Sequence, residues 1–177
     1  MQGGGSVNQK LERVQGCHPI IRQPVLTLVE RCEAKLKRTL LIVSGFRSVQ
    51  EQLVHYQKGR TYDRENAVWV VTDEHALVTK AMPGMSAHNV VTVAGQPAAM
   101  GVDVIPLNAD GSPDWDVSID FWDDLYELAW KVGLDPLGDQ RGAYLKGDLG
   151  HFEEPAWKMK LEALGCYQPT NLASALV

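Results

Sequence analysis

The sequence lacks an apolar run long enough to cross a bilayer, because its longest, residues 39–43 (TLLIV), suits only a strand. The first residues have no apolar core and no small-residue cleavage site, so we expect no secretory signal. Lysine and arginine form no cluster, and the formal net charge is -5. This charge pattern argues against a nucleic-acid partner. The 177 residues, 45% of them hydrophobic, are instead typical of one globular domain with its own core.

Cysteine is also scarce. Cys17, Cys32 and Cys166 are an odd number and lie far apart, which fits neither a zinc finger nor a disulfide framework. We expect reduced thiols that are at least partly buried. The chain is therefore predicted to be made in a reducing compartment, and work outside it would require separate delivery.

Helical and strand-like patterns follow one another without regular alternation, which predicts an α+β domain. The predicted helices span residues 24–38, 48–59, 117–133 and 155–165. The predicted strands span residues 39–45, 67–71, 101–107 and 150–154. Residues 1–16 are expected to form a flexible segment, 17–166 the domain, and 167–177 a tail.

The five histidines divide into two groups. His18, His55 and His75 have sequence contexts typical of surface or structural roles, whereas His88 and His151 lie in short polar turns beside strands. Asp103 stands between them in an apolar strand, where burial is costly unless a cation or hydrogen-bond donors pair with it. Zinc accepts two imidazoles and one carboxylate and leaves a position for water. An Asp103 on the solvent face of an edge strand remains the alternative.

Two further acidic residues flank His151 in residues 148–153 (DLGHFE). Asp148 could take a proton from water at such a metal site. Glu153 is predicted to lie on the same side of a strand as His151, because side chains alternate along a strand. It would either orient the imidazole or face solvent.

Four segments resemble, in order, the motifs of the M15 zinc peptidases. They are SGFRSVQEQLVHYQKGRT at residues 44–61, VTKAMPGMSAHN at 78–89, GVDV at 101–104 and DLGHFE at 148–153. The resemblance is greatest to the phage and bacterial L-alanyl-D-glutamate endopeptidases of peptidoglycan. It implies a single domain with a small central antiparallel sheet flanked by helices, the D-Ala-D-Ala peptidase-like or hedgehog-type fold.

The resemblance also implies a site with one Zn²⁺ per chain. It assigns the metal ligands to His88, Asp103 and His151, and the catalytic acid/base to Asp148. It further implies catalytic or substrate-binding roles for three polar residues, namely Arg47, Gln52 and Ser86. Arg47 suits a developing oxyanion or a substrate carboxylate, since a guanidinium pairs well with either.

The chain departs from the family pattern in several places. His88 and Asp103 are fifteen positions apart, where about seven is usual, and Gly101 replaces an alanine. Insertions at 61–77 and 89–101 are expected to lie beside the cleft and to alter which peptide fits. The usual tryptophan before the catalytic Asp is missing, and Tyr144 could fill its space.

The resemblance implies a zinc-dependent endopeptidase that cuts the L-Ala–D-Glu bond of the peptidoglycan stem peptide. One alternative is a D,D-carboxypeptidase or dipeptidase of the same family, and another is a wall-binding protein with a decayed site. Without a signal peptide, we expect a monomeric phage endolysin made in the host cytoplasm. It would reach the cell wall through a holin pore.

Overall fold

A computed structural model describes residues 12–137 and 148–169. Its centre is an antiparallel sheet of four strands that lie in the order β1 (Leu40–Ser44), β5 (Gly101–Pro106), β7 (His151–Glu153) and β6 (Asp135–Pro136). Helices and smaller two-stranded sheets surround it. The α+β fold with a small central antiparallel sheet is confirmed.

Helix α1 (Pro19–Arg31) supplies one side of the main core and continues into a π-helical turn, Cys32–Leu36. Its buried residues follow helical spacing: Ile21, Val25, Leu28 and Val29. The helix begins five residues before the predicted start, because the Nδ1 atom of His18 accepts a hydrogen bond from the amide of Ile20 and Pro19 occupies the first turn.

Helix α2 (Val49–Gln57) begins as predicted at Ser48. The Ser48 hydroxyl accepts from the Glu51 amide, and the Glu51 carboxylate accepts from the Ser48 amide at 2.7 Å. This capping box satisfies amides that the helix cannot satisfy itself. It fixes the direction in which the chain leaves the preceding residue, Arg47.

The first insertion forms a hairpin of β2 (Arg60–Asp63) and β3 (Val68–Val71), in which Tyr62 packs against Trp69 with ring centroids 5.2 Å apart. A short 3-10 helix, Glu74–Ala76, follows. The second insertion begins in another 3-10 helix, Ala87–Asn89, and turns back after β4 (Val91–Thr92).

Helix α3 (Ile119–Trp130) completes the main core with residues that include Leu125 and Tyr126. Helix α4 (Trp157–Lys160) is much shorter than the predicted helix over 155–165, and the chain continues as turns to β8 (Cys166–Tyr167). The backbone at Ala156 is left-handed, with φ 53°, so a helix cannot run through from Pro155.

A second, smaller core lies beside the main one. It holds together the second insertion and the C-terminal turns through six buried residues: Ala87, Val90, Ala98, Met100, Trp157 and Cys166. Strand β4 pairs with β8 along the same contact. The second insertion therefore packs against the C-terminal part of the domain.

All three cysteines lie in the described residues, are buried and form no disulfide, as the sequence predicts. Burial raises the pKa of the Cys17 thiol to about 12, so it is a packing residue. In the described part of the chain, every helix is too short or too polar to cross a bilayer.

The predicted boundaries fall partly outside the described residues. Residues 1–11, 170–177 and the segment 138–147 with Tyr144 are outside them. In the remainder of the predicted N-terminal segment, Val14 is buried in the main core and the Arg13 guanidinium donates to the Ile42 carbonyl of β1 at 3.0 Å. Residues 12–16 are therefore part of the packed domain.

Candidate metal centre

Three side chains from separate elements meet at one end of the central sheet. His88 comes from the 3-10 helix, Asp103 from β5 and His151 from β7, where Asp103 and His151 are paired across the sheet. His88 Nε2 lies 3.2 Å from His151 Nδ1 and 3.2 Å from Asp103 Oδ1, and His151 Nδ1 lies 2.8 Å from Asp103 Oδ1. The three predicted ligands therefore present one donor atom each to a common centre.

The second nitrogen of each imidazole has its own partner. His88 Nδ1 lies 2.6 Å from the Gly45 carbonyl oxygen, which can only accept, so Nδ1 carries a proton and leaves the Nε2 lone pair facing the centre. His151 Nε2 lies 3.3 Å from Glu153 Oε2. Such outer contacts fix ring orientation and tautomer in metal sites. Of the two roles predicted for Glu153, the structure shows the contact to the imidazole.

Nearby charges favour a cation at this centre. Burial alone would lower the pKa of His151, but hydrogen bonds to Asp103 and Glu153 and the charges of Asp103 and Asp148 raise it to about 10. Partial burial would raise the pKa of the Asp103 carboxyl, but the adjacent His88 and His151 hold it well below its usual range. A carboxylate between two imidazoles is a donor set that binds zinc.

Arg47 lies beside the three donors. Its guanidinium donates to Asp103 Oδ2 at 3.1 Å, to the Ser44 hydroxyl at 3.0 Å and to Gln52 Oε1 at 2.8 Å. A β-bulge between Ile42 and Ser44 places Ser44 opposite Asp103, and bulges of this kind commonly re-aim side chains near functional sites. The side chain of Arg47 also lines the cleft.

Gln52 is fully buried, and its amide group joins Arg47 to the segment that follows the first insertion. Its Nε2 donates to the Ala81 carbonyl at 2.9 Å while its Oε1 accepts from Arg47. In this arrangement Gln52 positions Arg47. Ser86 lines the cleft and its hydroxyl accepts from the amide of His88 at 3.3 Å, so it also shapes the turn that carries the first histidine.

Two glycines permit close backbone contacts around the centre. A Cβ on Gly150 would lie 2.2 Å from the Val104 carbonyl oxygen, and a Cβ on Gly45 would lie 2.2 Å from the Arg13 carbonyl oxygen. A side chain at either position would clash with the facing carbonyl oxygen, so both close contacts require glycine. The glycine that precedes His151 is thus required for β7 to approach β5.

The three residues that carry the donor atoms line a cleft with a volume of 1790 Å³. Asp148 lines it and is half-buried, and its carbonyl accepts from the His151 amide at 3.1 Å. From the first insertion, Glu74 and Leu77 line the cleft, as expected. The second insertion, expected beside the cleft, packs instead in the smaller core, because its apolar residues bury themselves against Trp157 and Cys166.

Asn89 is a site residue that sequence reasoning missed. It is fully buried, donates to the Arg47 carbonyl at 2.8 Å and accepts from the Gly84 amide at 3.1 Å. It thereby joins the segments that carry Arg47 and His88. The only signal in the sequence was a polar amide directly after the candidate ligand.

His18, His55 and His75 do not join the three-ligand cluster. His18 caps α1, and His75 is exposed in the first insertion. His55 lies on α2 and lines another part of the cleft. Their exclusion from the ligand set stays a prediction.

The fold is similar to those of solved peptidases. One is a mutant of the vancomycin-resistance D,D-pentapeptidase VanY from a VanB-type cassette, in complex with Zn(II): TM-score 0.53, 14% identity, over 84% of this chain and 78% of that one. Another is the L-Ala D-Glu endopeptidase ChiX of Serratia marcescens: TM-score 0.50, 15% identity, over 85% of this chain and 90% of that one. No protein-family model and no curated protein matches the sequence.

Proposed function

We propose that this chain is a zinc-dependent peptidase that hydrolyses the L-Ala–D-Glu bond of the peptidoglycan stem peptide. The observation that carries the proposal is the meeting of His88 Nε2, Asp103 Oδ1 and His151 Nδ1 within 3.2 Å of one another beside an open cleft. The order of the four sequence motifs and the fold shared with peptidoglycan peptidases support the substrate class.

The donor set fits one zinc ion, with one carboxylate and two imidazoles, of which His151 would release its proton when the metal binds. When bound, zinc supplies Lewis-acid chemistry, which polarises a carbonyl and lowers the pKa of water to about 7. His88 and His151 are held for this task by the Gly45 carbonyl and Glu153, respectively. The open cleft above them admits a peptide.

Asp148 is proposed as the proton acceptor and donor of the reaction. It lines the same cleft, immediately before the turn that carries His151. Its carboxylate would take a proton from the attacking water and deliver it to the leaving amine, which balances the hydrolysis. Arg47, also in the cleft, would stabilise the negative charge that develops on the carbonyl oxygen.

Replacing Glu153 with Gln should weaken zinc binding by about 10- to 100-fold, because an acceptor that orients a ligand histidine would lose its charge. Zinc affinity is measured by competition with a chromogenic chelator. Glu74→Gln is the matched control, since Glu74 also lines the cleft but is exposed in the first insertion. Equal affinities for the two variants would show that Glu153 has no positioning role.

The substrate assignment is tested by mass spectrometry of purified muropeptides after digestion. We expect fragments that end in L-Ala and peptides with a new D-Glu amino terminus, and no products after chelation. Readdition of zinc should restore them. Release of free D-alanine would instead identify a D,D-carboxypeptidase, and zinc-free protein without products would identify a wall-binding protein.

We further propose that the enzyme acts as a phage endolysin. It would be made in the host cytoplasm, cross the membrane through a holin pore and work as a monomer on the wall. Expression in a host cell with and without a holin tests this route. Lysis should require the holin and should fail when His151 is replaced with Ala.

A further inference from the structure

Trp115 is the most exposed aromatic side chain in the described residues, at 80% of its free surface. It lies in the turn-rich segment between β5 and α3, and it lines the same cleft as the three metal donors. Large aromatic side chains are normally at least half buried. Its exposure at the cleft therefore leaves a broad apolar surface facing any substrate.

A well-fixed turn carries this tryptophan. The Asp114 amide donates to the Pro106 carbonyl at 2.8 Å, and the Asp114 carboxylate pairs with Arg38 and accepts from the Asp116 amide at 3.2 Å. Leu107 and Pro113 form a β-bridge at the base of the turn. Both neighbours of Trp115 are thus held while its indole stays in solvent.

The position of Trp115 relative to the metal donors follows from strand geometry. Asp103 and Pro106 lie three residues apart on β5, which corresponds to about 10 Å at 3.3 Å per residue. Asp114 is hydrogen-bonded to Pro106, so the backbone of Trp115, the next residue, lies near the Pro106 end of β5. In between, Ile105 lines the cleft.

We propose that Trp115 binds the sugar ring at the start of the stem peptide, by stacking its indole on the apolar face of the pyranose. The inference rests on the proposed function and names the part of the substrate that Trp115 would contact. It makes Trp115 a specificity residue for peptide that is still attached to glycan.

The sugar lies a short way along the substrate from the bond that is cut. From the L-Ala–D-Glu bond, the sugar is reached through L-Ala and a lactyl group, about two residue lengths or 7 Å, plus half a ring. This length is of the same order as the separation of about 10 Å between Asp103 and Pro106, the residue from which the turn that carries Trp115 is held. If the D,D bond were cut instead, three more residues, or about 10 Å, would separate the sugar from the bond that is cut.

The chemistry of the two surfaces also agrees. An indole combines a large flat apolar face with one N–H donor. A pyranose offers a flat face of C–H groups and hydroxyls that accept hydrogen bonds at its edge. The D-Glu residue on the other side of the bond is charged and offers no such face.

The test compares two substrates, the free stem tetrapeptide and the same peptide on its GlcNAc–MurNAc disaccharide. For the native protein we expect kcat/KM to be about tenfold higher with the disaccharide, which is the effect of one well-placed aromatic contact. In Trp115→Ala the ratio should fall to about one, and Trp115→Phe should keep an intermediate ratio. Trp130→Ala is the matched control, since Trp130 is a half-exposed residue of α3.

Calorimetric titration of the zinc-loaded protein with MurNAc-L-Ala gives a second measurement that does not depend on cleavage. Binding should be weakened about tenfold in Trp115→Ala and unchanged in Trp130→Ala. The sugar assignment would be overturned if Trp115→Ala lowered kcat/KM equally for both peptide substrates. It would also be overturned if Trp115→Ala changed neither the ratio of the two kcat/KM values nor the binding of MurNAc-L-Ala. Failure of the native protein to cut either substrate would count against the proposed function alone, because the titration still tests Trp115.

Discussion

Replacing either His88 or His151 with Ala should remove zinc and peptide hydrolysis together. Each substitution leaves two of three ligands, too few for a stable site. Zinc content should fall from about one equivalent per chain to near zero. The rate should fall by about three orders of magnitude, because metal catalysis contributes several kcal/mol and each 1.4 kcal/mol is a factor of ten.

His75→Ala is the matched control for this loss. It removes an exposed imidazole from the first insertion, outside the three-ligand cluster. Zinc content is measured by inductively coupled plasma mass spectrometry. Far-ultraviolet circular dichroism checks that each variant is folded. If His75→Ala lost zinc, or His88→Ala kept one equivalent and full activity, the ligand set would be wrong.

Asp148→Asn should leave zinc bound near one equivalent but lower the turnover rate by about 10²- to 10⁴-fold. The change preserves size and removes the proton acceptor. Asp103→Asn should instead weaken zinc binding, since it replaces an anionic ligand by a neutral one. Excess zinc should then restore part of its rate.

The two aspartate variants are titrated with zinc, and peptide cleavage is measured at saturation. The expected contrast is a rate defect that zinc does not repair in Asp148→Asn and an affinity defect in Asp103→Asn. Loss of metal from Asp148→Asn, together with an active and zinc-replete Asp103→Asn, would show that the two roles are reversed.

The meeting of His88, Asp103 and His151 could be predicted because the motifs that contain them resemble those of one family, and Asp103 was the least certain of the three. Its fifteen-residue separation from His88 departs from the family pattern, yet the two meet. The second insertion explains this: the Ala98 amide donates to the Val90 carbonyl and the Met100 amide to the Ala87 carbonyl. The two ends of the insertion are therefore hydrogen-bonded to each other, which brings Asp103 back beside His88.

Other parts of the site could not be predicted, because they depend on backbone atoms or on burial. The Gly45 carbonyl that orients His88 leaves no mark in the side-chain sequence. The amide of Gln52 looks like a substrate contact in a motif, but it is fully buried against Arg47 and Ala81. Only the packing of α2 against the segment that follows the first insertion reveals this.

The two cores have a thermodynamic consequence. His88 is flanked by Ala87 and Val90 of the smaller core, whereas Asp103 and His151 belong to strands whose apolar residues fill the main core. A cation held by all three side chains would therefore add a link between two packing units that the backbone already joins at residues 98–102. Its binding free energy would add to the stability of the folded chain. The smaller core, with the C-terminal turns that it anchors, is the part of the molecule whose cohesion would depend most on the metal.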